Sequence, residues 1–173
     1  MHQSTLGINS TYHESAASLL THDAIFATEE ERFTGIRHGK EASPYGSWLL
    51  PFHSIYYCLK ENDLTLEEID HIAYSFNLWL KLRRNLPDII FSLFKGDLNL
   101  VQRDLAYFYF NKRIPEFLIR EAPSNPSIRS RFILSGKPKW KFHFVEHHLA
   151  HAASTFFVSP FEEAAILSID GIG

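Results

Sequence analysis

The sequence predicts an α/β fold, and three observations carry that reading. Short apolar strands recur after helical segments. The opening stretch has the small-and-apolar alternation, broken by polar turns, of a hairpin or meander. Apolar residues make up 45% of the 173 positions, with 14% aromatic and 21% charged. That is enough for a sizeable core and too hydrophobic for a disordered chain. At 20.0 kDa the chain is one ordinary domain or a piece of a larger one.

The elements follow in order. Leu6-Gly7-Ile8-Asn9 reads as a first strand, stopped by the polar run from Ser10 to Ser15. Ala16–Leu20 reads as a second strand, and a turn at Thr21-His22-Asp23 leads to a third at Ala24–Thr28. The acidic run Glu29-Glu30-Glu31 is most simply a solvated strand end, and Arg32 to Lys40 a loop rich in donors able to hold an anion. From Ser47 to Glu61, Leu49, Phe52, Ile55, Tyr56 and Leu59 fall at helical spacing; Thr65 and Glu68 then form a capping-box pattern. His71–Phe76 and Lys141–Val145 read as further strands. Between them, helices are expected over Trp79–Phe94 and Leu98–Ile119, punctuated at Pro87, Gly96 and Pro115, and then a loop over Ala122–Ser127. A helix from His147 to Phe157, a loop at Val158-Ser159-Pro160 and a strand over Ala164–Ile169 complete the chain.

Charge divides the chain into three blocks. Residues 1–76 carry 4 Lys+Arg against 11 Asp+Glu, residues 77–141 carry 13 against 5, and residues 142–173 carry none against 4. The middle is a basic, aromatic, helical insert between two acidic blocks. Its aromatics, among them Trp79, Phe91, Phe94, Tyr107, Phe108, Tyr109 and Phe110, are expected to form helix-packing core. A single-strand nucleic-acid surface is the other reading of such a block, but the net charge of −3 gives no general case for nucleic acid as a partner. Charges interrupt the region from Leu78 to Phe110 too often for a membrane span. The single Cys58 excludes an internal disulfide framework, and no signal segment opens the chain, so a reducing cytoplasmic setting is expected.

The densest chemistry lies at Val145-Glu146-His147-His148-Leu149-Ala150-His151. On a helix, His147 and His151 at i and i+4 share a face and can offer two imidazoles to one metal, while His148 points about 100° away. Asp170, past the end of the last strand, is the third candidate ligand. Imidazole plus carboxylate suits iron, manganese or zinc. An isolated H-x-x-x-H is more often plain packing; the preceding strand, the small Ala152-Ala153 and Asp170 shift the balance towards ligation. His13, in the turn after the first strand, can act as a general base, although a turn histidine bonded to backbone is the simpler reading of it alone. Arg37 and Lys40 can clamp a phosphate or carboxylate, with a solvated basic loop an equal reading, and Gly171 and Gly173 either close an ordinary turn or permit the close backbone approach that phosphate binding needs.

These residues together resemble a known family. Leu6 to Ser15, Glu29 to Thr34, His38-Gly39-Lys40, Val145 to Ser154 and Ser168-Ile169-Asp170-Gly171 are similar, in order, to the amino-terminal domain of the nodulation and antibiotic-tailoring O-carbamoyltransferases. The resemblance implies the first half of an actin, sugar-kinase and heat-shock-chaperone type of domain, with a ribonuclease H-like sheet, and a family-variable insert at 77–141. It implies that carbamoyl phosphate and ATP yield carbamoyl-adenylate in a separate carboxy-terminal domain, and that the carbamoyl group then passes to a hydroxyl of a small-molecule acceptor here. By position, His147, His151 and Asp170 would be ligands of an iron(II) ion, with a further Asp expected beyond this chain. His13 would be the base, and the loop with Lys40 would meet the adenylate. Glu14 stands where the family more often has Asp, and Gly35 where a basic residue is usual. On this reading residues 1–173 are an incomplete domain (1–76, insert 77–141, metal motif 142–173), inactive alone and needing the missing half or a partner chain. The related tRNA threonylcarbamoyl-transfer enzymes share the H-x-x-x-H but differ in the early motifs, and a non-catalytic remnant or binding module is the alternative from another class.

Overall fold

The computed structural model describes residues 3–10, 14–37 and 50–169. Its centre is a mixed five-stranded sheet in the order β3-β2-β1-β4-β5. Strands β1 (Thr5–Asn9), β2 (Ala16–Leu20) and β3 (Ile25–Glu29) form the expected antiparallel meander. Strands β4 (His71–Tyr74) and β5 (Lys141–Phe144) add in parallel, β4 beside β1 and β5 beside β4. Parallel neighbours need a crossover, which helix α2 (Phe52–Glu61) supplies before β4 and the insert supplies before β5.

Period-two alternation assigns each strand residue to a face. Leu6 and Ile8 of β1, Ala17 and Leu19 of β2, and Ile72 and Tyr74 of β4 are buried against Ile55, Cys58 and Leu59 of α2, with Leu118 and Phe132 closing the same core. Each fully buried aliphatic side chain contributes about 1.5–3 kcal/mol. The opposite face carries Gly7, Ser18, Ala27 and Ala73 in one row across four strands. Next to Tyr74 the insert reaches the core: its phenol shares a hydrogen bond with Ser10 Oγ at 3.0 Å and donates to buried Asn111 Oδ1 at 3.4 Å.

The acidic run departs from its expected solvated character, because Glu30 is buried. Its carboxylate accepts from the backbone N–H of His53 (3.2 Å) and Ser54 (2.8 Å) in the first turn of α2 and lies 2.6 Å from His53 Nδ1. The N-cap residue of α2, Pro51, offers no side-chain cap, so a distant carboxylate meets the unpaired donors and positive end of the helix. The start of the expected anion loop lies instead in the short helix α1 (Glu31–Thr34), ended by Gly35 at φ 67°. The Thr65–Glu68 pattern is realised, with the Glu68 carboxylate accepting from Thr65 N and Oγ1, both at 2.8 Å. The residues from Ser47 to Trp48 and Leu49, where α2 was expected to begin, lie outside the described residues.

The insert holds helices α3 (Leu78–Lys95), α4 (Leu98–Lys112), α5 (Ile114–Arg120) and α6 (Pro126–Arg129). The single helix expected over Leu98–Ile119 is broken at Arg113, because Pro115 has no N–H to continue the ladder and instead starts α5. The expected loop at 122–127 gives way to α6 at Pro126. Trp79, Phe91, Phe94 and Tyr109 are exposed rather than core. α3 and α4 pack chiefly on each other, and a two-helix layer buries one face of each; Trp79 packs edge-on against Phe108 at 5.0 Å. Among the described residues no helix is long and apolar enough to cross a membrane. Helix α7 (His147–Phe156) follows β5. The strand expected over Ala164–Ile169 does not form: the segment pairs with no strand, and Leu167 and Ile169 are exposed. A continuous apolar run is stable as a strand only when neighbours cover both faces, and none of the described residues does so.

Replacing Glu30 with Ala should lower the unfolding free energy by about 3 kcal/mol in urea melts, since buried donors lose a charged acceptor; a loss under about 0.5 kcal/mol would contradict the capping role. Burial pushes the Cys58 thiol from 9.0 up to about 11. The unfolded thiol therefore ionises first. The Cys58 contribution to stability should be intact below pH 9 and be lost as pH rises through about 11, read as the difference between wild type and Cys58→Ala.

Candidate functional site

The carboxyl ends of parallel strands are where open α/β sheets leave a crevice, and a cleft of about 490 Å3 lies there. Its floor is the row of small residues on the sheet face opposite the core, Gly7, Ser18, Ala27 and Ala73, and its rim includes Asn9, Glu29, Arg32 and Ser75. Val145 and Ala150, at the β5–α7 junction, form one wall. A glycine within a strand weakens the strand and marks a close approach. At Gly7 a Cβ would fall 2.5 Å from Ser18 Oγ and project into the floor.

Asn9 fixes the rim. Its Oδ1 accepts from Ser75 Oγ at 2.5 Å and its Nδ2 donates to the Glu14 carbonyl at 2.8 Å, so one side chain ties the end of β1 to β4 and to the start of β2. Glu29 and Arg32 are the charged residues of the lining, 3.9 Å apart and both well exposed; such a pair is weak and leaves Arg32 able to meet an anionic group.

Helix α7 starts as soon as β5 ends because Glu146 caps it, its carboxylate accepting from Leu149 N at 2.7 Å. The i, i+4 spacing then brings His147 and His151 together, Nε2 to Nε2 at 3.2 Å with ring centroids 4.5 Å apart. His148 turns away, its Nδ1 3.3 Å from Ser168 Oγ. Two imidazole nitrogens this close fit the bite of one divalent ion, for which bonds of about 2.0–2.1 Å and a tetrahedral angle give roughly 3.3 Å. Among the described residues no group of three His, Cys, Asp or Glu side chains forms a metal cluster. His13, Lys40, Asp170, Gly171 and Gly173 lie outside the described residues. Arg37 is exposed and is not part of the cleft lining.

Gly7, Asn9, Ser75 and Arg32 were not among the site residues expected from sequence. The available signals were a glycine inside a strand and an asparagine at its end; the Asn9–Ser75 pairing depends on parallel register between segments 66 residues apart.

Residues 4–173 match the family described as Carbamoyltransferase N-terminus, and the chain belongs to that family. Among curated proteins it is 33% identical over 169 residues to the uncharacterized protein sll1178 of Synechocystis sp., covering 97% of this chain and 25% of that protein. It is 27% identical over 184 residues to the nodulation protein NolNO of Sinorhizobium fredii, covering 100% of this chain and 22% of the relative. The chain thus spans about a quarter of the length of these relatives.

Asn9→Ala should cost about 1–3 kcal/mol in urea unfolding, because Ser75 and the Glu14 carbonyl both lose a partner. A change within about 0.5 kcal/mol would mean that Asn9 does not hold the rim.

Proposed function

We propose that the protein carrying this chain transfers a carbamoyl group from carbamoyl-adenylate to the hydroxyl of a small molecule, and that this chain contributes the accepting part of the site. The observation that carries the reading is the His147–His151 pair on the helix whose Ala150 walls the cleft, in a chain of the carbamoyltransferase family. The sheet, a meander followed by two parallel crossover strands, supports the actin and sugar-kinase type of domain that the motif resemblance implies.

In the proposed reaction the acceptor oxygen attacks the carbamoyl carbon, the bond from that carbon to the phosphate oxygen breaks, and AMP leaves with the electron pair. His13 takes the hydroxyl proton. Arg32 on the rim, with Lys40 and Arg37 on the following segment, offers positive charge to the adenylate phosphate. The small floor at Gly7 and Ser18 lets a ligand lie close to the sheet backbone, while Asn9 and Ser75 keep the strand ends at fixed spacing beneath it. His147 and His151, with Asp170 as a further proposed ligand, would hold a divalent metal, for which iron(II) is the proposed identity. Such an ion polarises a carbonyl or phosphoryl oxygen when bound. Formation of carbamoyl-adenylate from carbamoyl phosphate and ATP is assigned to a region outside this chain.

The test uses the full-length protein with labelled carbamoyl phosphate, ATP and a panel of hydroxyl acceptors. His147→Ala and His151→Ala should each reduce transfer by at least about 100-fold, as loss of a group acting in the transition state does, with His148→Ala within a few-fold of wild type. Residues 1–173 alone should give no product. Equal rates for all three variants would overturn the role given to the pair, and product from the short chain would overturn the placement of the adenylate step.

A further inference from the structure

A second pair of histidines converges outside the cleft lining. His71 opens β4 and His143 lies in β5. Register sets His71 beside Lys141 and Ala73 beside His143, so the two histidines are diagonal neighbours on the sheet face that carries Gly7 and Ala73, within reach of one another for long side chains. His71 Nδ1 lies 3.0 Å from His143 Nε2, with ring centroids 5.2 Å apart. This is close to the nitrogen spacing in the α7 pair, 3.2 Å, and to the roughly 3.3 Å bite of a tetrahedral ion. Neither histidine lines the cleft.

We infer that His71 and His143 form a bidentate imidazole site for a divalent transition metal of the zinc, nickel or copper(II) class, separate from the α7 pair. Neutral imidazole suits those ions, and His143 is exposed, so water can complete the coordination sphere. Among the described residues no third His, Cys, Asp or Glu side chain joins the pair, and the adjacent Asp70 is engaged with Ser4, through both its backbone N–H and its hydroxyl. Lys141, in register with His71, is exposed and can turn its ammonium into solvent. A bound ion would staple the edge strand β5, which returns only after the whole insert, to β4 across 72 residues of chain. Binding to the folded state alone would stabilise it by mass action.

The test is a calorimetric titration of the full-length protein with Zn2+, in a His147→Ala/His151→Ala background that removes the α7 pair. One saturable site should remain, and adding His71→Gln should weaken it at least about tenfold, whereas His22→Gln should leave it unchanged. As a check independent of variant folding, Cu2+ added at substoichiometric amounts to the unmodified full-length protein should broaden the NMR signals of β4 and β5 around His71 and His143. Unchanged Zn2+ affinity on removing His71 and His143 together, or Cu2+ broadening confined to α7, would overturn the site.

Discussion

The register of β1 is the constraint on which the rest depends. This strand pairs antiparallel with β2 and parallel with β4, and its alternate residues serve opposite purposes. Leu6 and Ile8 enter the core, whereas Gly7 and Asn9 form floor and rim of the cleft. A slip of one residue would exchange the two sets, burying an asparagine and setting isoleucine into the floor. Core packing therefore fixes the site: the free energy that holds Leu6 and Ile8 against α2 also holds Gly7 and Asn9 where a ligand would meet them.

The acidic turn after β3 shows the same economy. Glu29 faces the cleft, Glu30 caps α2 from within the protein, and Glu31 opens α1. Three consecutive carboxylates thus have three different surroundings, and the middle one joins the helix behind the sheet to the rim in front of it. At the other end of the sheet, Glu146 does for α7 what Glu30 does for α2. In both cases a carboxylate meets the N-terminal donors of a helix and decides where its first turn begins, and for α7 that fixes the pairing of His147 with His151.

Local patterns in the sequence were enough for the meander, for α2 and for the histidine pair of α7, because alternation and i, i+4 spacing are properties of adjacent residues. What the sequence hid was long-range. Glu30 reaches a helix that starts more than twenty residues later, Asn9 meets Ser75 through a parallel ladder, and His71 meets His143 only because β5 returns beside β4. The apolar run at 164–169 misled for a related reason: its composition specifies a strand, but pairing needs a partner that no local pattern supplies. The aromatic insert misled in the opposite sense, since periodicity identifies an apolar helix face without saying whether anything covers it.

The central proposal is that the α7 histidines hold a metal that serves transfer in the cleft beside them. The most direct measurement is a crystal structure of the full-length protein grown with iron(II), with anomalous diffraction collected at the iron edge. The proposed function predicts a peak between His147 Nε2 and His151 Nε2. Iron bound elsewhere, with the two rings turned apart, would contradict it.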